Sequence, residues 1–423
     1  MLGLTHVFGA LYLATALTQF GSALLMTYLA LSLSAEGAAE FWGGALMAAN
    51  ALGMVCGGKV GQVLIERVGH IRTYVACAGV LCAAVLGHEF SDALFVWLLL
   101  RVVVGLCMMS QMVVIESWLN DRATSNQRGQ VLGLYMVAAY VGMMVGQLML
   151  SISGGLSLHL LLGIAMAFAL SLVPVALTRS VHPDTLRPGP IDLRLFIRQI
   201  PQSMVTVLVS GMVNGAFFGL ASIYASRQGL NTVEVGQFMA LAIAAGLLAQ
   251  MPLGWLSDRL PRASLIRGIS MLLVFASLPL AFYRELSFHS LLGLSAGIGF
   301  LLFCLYPLGV ALANDNVEPH LRVSLAGLLL ATFGVGACIG PLVAGAMMSH
   351  FGPSSLYYFF TACAATLTFA VGQRRVSGAH LQHDAPLHHQ ATPSGLASAT
   401  LAAVVEPAPD GEANDREPTQ PIV

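Results

Sequence analysis

Two ionisable side chains sit inside long apolar runs, and their chemistry constrains this chain most: Arg101, in L-L-L-R-V-V-V-G, and Glu116, in V-V-I-E-S-W-L-N-D. A buried carboxylate can take up and release a proton away from bulk water, and a buried guanidinium can hold an anionic group. An arginine so deep in hydrocarbon costs at least ~2.5 kcal/mol and normally faces protein or a water-filled cavity. Each residue also has a plainer role. Arg101 can snorkel, or pair structurally with Glu89 or Asp92 near the start of the same run. Glu116 lies two residues before Trp118 and five before Asp121, a pattern that also suits a membrane–water boundary. Lys59, the only lysine, lies about two turns before Glu66 and fits snorkelling.

Other chemistries lack their residues. No His-Asp-Ser or H-E-x-x-H arrangement falls inside the apolar runs and no P-loop occurs, which argues against an enzyme and against direct ATP drive. Cys56, Cys77, Cys82, Cys107, Cys304, Cys338 and Cys363 all lie in apolar runs without a C-x-x-C pair, and read as reduced packing residues. His380, His383, His388 and His389 are scattered without rigid spacing, so no metal is expected, nor any cofactor or nucleic-acid partner.

The elements that must position Arg101 and Glu116 follow from composition. With 57% hydrophobic and 9% charged residues and a mean hydropathy of +0.79, the chain is built for lipid, since soluble domains carry roughly a quarter charged residues. Runs long enough to cross a ~30 Å core as helices succeed one another. The expected spans are 6–33, 41–64, 72–88, 93–118, 129–153, 156–178, 201–225, 232–256, 263–283, 287–313, 323–349 and 354–373. Met1 to His6 has neither a basic region nor a small-residue cleavage site, so the first span is expected to be retained. Arginines from Arg67 and Arg72 to Arg374, Arg375 and Arg416 fall on one side of this layout, and only Arg227 and Arg284 on the other. By the positive-inside rule both termini face the cytoplasm.

An internal repeat is visible at an offset of 194 residues. It pairs Asn120-Asp121 with Asn314-Asp315, Arg128 with Arg322, and Gly105, Gly133, Gly142 and Gly146 with Gly299, Gly327, Gly336 and Gly340. A polar pair and an arginine at one spacing do not follow from apolar composition, so one six-helix unit is used twice. The expected organisation is therefore 1–178 and 201–373 as six-helix bundles. Residues 179–200 form a cytoplasmic linker ending in an interfacial helix, and 374–423 a disordered tail.

Gly254 to Arg262 reads G-W-L-S-D-R-L-P-R between the eighth and ninth spans, and a worn copy holds Gln62, Leu64, Glu66, Arg67, Gly69 and His70 in the same slots. This loop resembles the G-x-L-x-D-R-x-G-R signature of the major facilitator superfamily of membrane transporters. Pro261 departs from the pattern in the second copy, and Gln62 and Glu66 in the first. Arg101 with Gly105 resembles the superfamily's R-x-x-x-G motif on the fourth helix, associated with proton or substrate coupling. The G-x-x-x-G-P motif of its proton-coupled drug antiporters appears on the eleventh span, at Gly336, Gly340 and Pro341; on the fifth, Gly142 and Gly146 are followed by Gln147. Small residues at i and i+4 also let helix backbones pack closely in lipid.

The resemblance covers roughly residues 5–373. It implies an all-α membrane protein with twelve transmembrane helices in two pseudo-symmetric six-helix bundles, located in the cytoplasmic (inner) membrane of a bacterium. It implies alternating access in a monomer, with Glu66, Arg67, Asp258, Arg259 and Arg262 latching the cytoplasmic side and Arg101 and Glu116 in coupling. The first, fourth, seventh and tenth helices would line a central cavity, whose polar and aromatic candidates are Gln19, Tyr28, Gln111, Asn214, Phe218, Tyr224 and Tyr306. Hydrogen bonding between helices competes with ligand contact for each. So few charges point to a small neutral or weakly charged organic solute. Export against protons is the leading form, uptake the second, and a transporter-like receptor a third.

Overall fold

A computed structural model describes residues 2–123, 127–153, 155–177, 193–283, 286–317 and 321–372. The tail, its histidines and most of the linker lie outside them. The elements are helices α1 (Leu2–Ala35), α2 (Glu40–Val68), α3 (His70–Gly87), α4 (Leu94–Arg122), α5 (Arg128–Ser153), α6 (Leu158–Ala176), α7 (Leu193–Gln199), α8 (Pro201–Arg227), α9 (Thr232–Ser257), α10 (Arg262–Phe282), α11 (Phe288–Asn314), α12 (Arg322–Phe351) and α13 (Ser355–Ala370), with a short 3-10 turn at His88–Phe90. Hydrocarbon offers backbone groups no partner, so each crossing segment must satisfy its own N–H and C=O groups as a helix.

Eleven of these helices are long and apolar enough to span a membrane. The twelfth expected span is α13, whose 16 residues extend ~24 Å. Helix ends fall within four residues of the expected boundaries; α2 continues to Val68, so that Glu66 and Arg67 sit in its last turn. Large apolar side chains left on the outside, such as Phe95, Met166, Leu248, Met251 and Phe369, form a surface suited to acyl chains.

Helix partners repeat across the chain. In the first half α2 packs on α4, α1 on α5 and α6, and α3 on α4 and α6; in the second, α9 packs on α11, α8 on α12 and α13, and α10 on α11 and α13. The same five partnerships occur twice, as a duplicated unit requires. Between the halves α2 meets α12 and α8, α5 meets α9, and α1 meets α8.

The helix expected to lie at the membrane interface is α7. Phe196 and Ile200, four apart on one face, are buried with Val207, Tyr306, Val310 and Leu328, inside the second half. Ile197, between them, is exposed.

Candidate functional site

Glycines set the helix spacing on which every polar side chain depends. A Cβ on Gly105 would strike the carbonyl oxygen of Asn50, so α4 and α2 touch backbone to backbone one turn beyond Arg101. Gly142 and Gly146 bring α5 against Ala16 and Phe20 of α1; Gly336 and Gly340 bring α12 against Leu208 and Met212 of α8. Gln147, where the antiporter motif has proline, donates through Nε2 to the carbonyl of Ala23 and accepts from Oγ1 of Thr27, both at 3.0 Å. It ties α5 to α1. Pro341 stays in α12, where its carbonyl faces Gly44 of α2.

Arg101 is 1% exposed. Its Nη2 donates to Sδ of Met26 on α1 at 3.2 Å, while Nε and Nη1 have no hydrogen-bond partner. Neither acid expected as a structural partner reaches it, because Glu89 and Asp92 are exposed. Snorkelling is also excluded by this burial. One turn before it on α4, buried Trp97 meets His88 edge-on, with ring centroids 5.7 Å apart. His88 holds its Nδ1 on the carbonyl of Ala84 at 2.8 Å, so that nitrogen carries the proton.

Glu116 is fully buried on α4, and the hydroxyl of Tyr135 on α5 donates to its Oε1 at 3.1 Å. Tyr306, on α11 of the other half, lies within electrostatic reach of the same carboxylate. Nearby, the hydroxyls of Thr18 and Tyr74 are 3.2 Å apart. Trp118, two residues on, is held by protein at the end of α4 that meets the start of α3. Trp118 is buried, and its ring stacks on His70 at 6.0 Å.

The expected cavity residues divide between the halves. Gln111 donates to the carbonyl of Tyr74 at 3.3 Å and Gln19 approaches Sδ of Met112, so both amides serve the first half. Asn214 donates to the carbonyl of Ser210, Phe218 packs against Phe303, and Tyr224 donates to the carbonyl of Leu280, all within the second. Tyr28 is half-buried at the α1 end near Glu89. Tyr306, packed edge-on against Phe333, also feels the charge of Glu116 in the opposite half.

The signature loop is anchored at its last residue. Arg262 is nearly buried and pairs with Asp315, with Nη1 also donating to the carbonyl of Ala311 at 2.9 Å. Burial of the Asp315 carboxyl raises its pKa, outweighing the opposing pull of Arg262 and Arg322. Arg259 lies over the ring of Trp255 at 3.9 Å. Glu66, Arg67 and Asp258 are exposed, outside both the Arg262–Asp315 and the Glu40–Arg227 pair. The two copies of the loop also turn differently: Gly69 bridges α2 and α3 with φ 86°, whereas Pro261 precedes α10 with φ −55°. Only a glycine takes the first conformation without strain.

At the far end of the bundle Glu40 of α2, not singled out in the sequence, pairs at 3.2 Å with Arg227 of α8, which the sequence marks only for topology. Their signal was compositional: Arg227 is one of only two arginines on a side otherwise without them.

Residues 11–324 and, overlapping them, 245–403 match the family model described as Major Facilitator Superfamily. The chain belongs to this superfamily. Among curated members of the superfamily, it is 30% identical over 296 residues to "Uncharacterized MFS-type transporter YcaD" of Salmonella enteritidis PT4, covering 70% of this chain and 76% of that one. The corresponding protein of Salmonella dublin matches over the same 296 residues at 30% identity. Superfamily structures share the fold. The nucleoside transporter NupG superposes with a TM-score of 0.70 at 14% identity, over 86% of this chain and 97% of that one. A bacterial homolog of the human lysosomal transporter Spinster, inward-facing and occupied, gives a TM-score of 0.70 at 16% identity, over 87% and 95%. Superfamily membership makes the protein a multi-pass membrane transporter of the secondary type, with a small molecule as its substrate.

Proposed function

We propose that this transporter moves a small neutral or weakly charged organic solute across the cytoplasmic membrane, with both termini in the cytoplasm, and couples the movement to protons. The bundles 1–178 and 201–373 rock about a site between them, working as a monomer. Glu116 is the proton site: it gains its proton from one side of the membrane and yields it to the other. Arg101 supplies the fixed positive charge in the same half. Glu66, Arg67, Asp258 and Arg259 form the cytoplasmic latch, engaged when that side closes.

One observation carries the reading. Glu116 is a fully buried carboxylate that receives a hydrogen bond from Tyr135 and lies in reach of Tyr306 across the two halves. A carboxylate so enclosed changes its solvation greatly when the halves separate, and that change is what drives proton uptake and release. Export against protons is the leading form. Uptake is favoured by Gln147, which stands where the antiporters carry proline and ties α5 to α1.

The test is a proteoliposome with an internal pH dye. Addition of a transported solute shifts internal pH in the native protein, and Glu116→Gln, which keeps an acceptor for Tyr135, abolishes the shift. A shift unchanged in Glu116→Gln removes that residue from coupling.

A further inference from the structure

Glu40 begins α2 in the first half and Arg227 ends α8 in the second, with Oε1 of Glu40 3.2 Å from Nε of Arg227. This ion pair joins the halves, whereas Arg262 and Asp315 belong to the same half. Neutral contacts surround it. The N–H of Phe41 donates to Oγ of Ser349 at 2.9 Å, and Oγ of Ser151 donates to the carbonyl of Val233 at 3.1 Å. Directly beneath, Gly43 faces Ile223 and Leu220, and Gly219 faces Met47. At the opposite end of the bundle Glu66, Arg67, Asp258 and Arg259 are exposed and outside both pairs.

We propose that Glu40 and Arg227 form a charge-operated gate on this face, which holds the two halves together there and parts when the pathway opens to that side. The proposal rests on the alternating-access reading above. The glycine contacts provide shape but act only at contact distance; a pair of opposite charges still attracts after the first few ångströms of separation. Burial is matched to reversibility. The Arg227 side chain is 38% and the Glu40 side chain 15% exposed, so water can solvate both charges once they part. A deeply buried pair would strand two charges in a dry interior and lock the face shut. A partly exposed pair is weak enough to be overcome in each cycle, and losing it shifts the closed-to-open ratio by about five-fold.

Leu220 provides the readout. It is fully buried two turns below Arg227 on α8 and faces Gly43 across the seam. In the full chain, Leu220→Cys is treated with a membrane-impermeant maleimide supplied to each membrane face in turn, and modification at position 220 is followed by peptide mass. From the Glu40 face, Glu40→Gln and Arg227→Gln each raise the labelling rate about five-fold, and the exchanged pair Glu40→Arg with Arg227→Glu returns it to the original value. A measurable rate that is the same in all variants overturns the gate and leaves alternating access standing. A rise that the exchanged pair fails to reverse also overturns it, because the effect is then not one of charge pairing. Absence of labelling from both faces in every variant overturns the gate and the alternating-access reading together.

Discussion

Arg262, the first residue of α10, sends one nitrogen to both the carboxylate of Asp315 and the carbonyl of Ala311, and so fastens α10 to the end of α11. Asp258, four residues earlier, stays in solvent. Arg262→Ala leaves a half-buried carboxylate and a carbonyl without their donor, and lowers stability by ~1–3 kcal/mol. Asp258→Ala changes stability little. Melting temperatures of the purified variants in detergent check this; equal losses would show that both residues hold the resting structure.

The same pair sets a pH dependence. The Asp315 pKa is raised in the folded protein, so the folded state binds this proton more tightly than the unfolded chain does. Its contribution to stability is full below the unfolded value of about 3.9 and is lost as pH rises through the higher folded value. Asp315→Asn removes that part of the slope. A melting series at rising pH that has the same slope for both proteins contradicts the assignment.

Glycine substitutions separate contact from composition. A methyl at Gly142 or Gly336 meets the carbonyl of Ala16 or Leu208, and forcing helices apart in a packed interior costs ~1–3 kcal/mol. Gly133 shares the sequence repeat, but nothing lies within 4 Å of where a Cβ would stand, so Gly133→Ala is neutral or slightly stabilising. The yield of folded protein in membranes, followed by melting temperature, distinguishes the two groups. Equal damage at Gly133 would mean that the repeat has another purpose.

Arg101 carries a full charge with two nitrogens unpartnered in a 1% exposed site. An apolar side chain of similar length there relieves a desolvated charge, so Arg101→Met is neutral or stabilising by ~1–4 kcal/mol. Solute accumulation is lost in the same variant. A stable protein that no longer transports is the signature of a residue kept for function; a destabilised one would mark Arg101 as structural support.

Much of the architecture was legible because lipid leaves few alternatives. Apolar run length gave the helices, and the Asn-Asp and arginine repeat at 194 gave the duplication that the repeated helix partnerships display. Side-chain direction was not legible. Helical spacing places Gln111 on a cavity helix but does not say that its amide turns to Tyr74 on α3, and a loop motif does not reveal that Arg262 reaches past Asp258 to Asp315. Such choices depend on backbone separation, which the glycines fix only once both helices are in place. Nor does the sequence reveal that Trp118 stacks on His70.

Transport of solute through a membrane at the expense of a proton gradient is the central claim, and radiolabelled solute followed in proteoliposomes under an imposed pH difference tests it most directly. The predicted result is accumulation above the external concentration, collapsing when a protonophore is added and absent in Glu116→Gln. Saturable binding with no accumulation under any gradient would contradict it, and would make the protein a receptor built on a transporter fold.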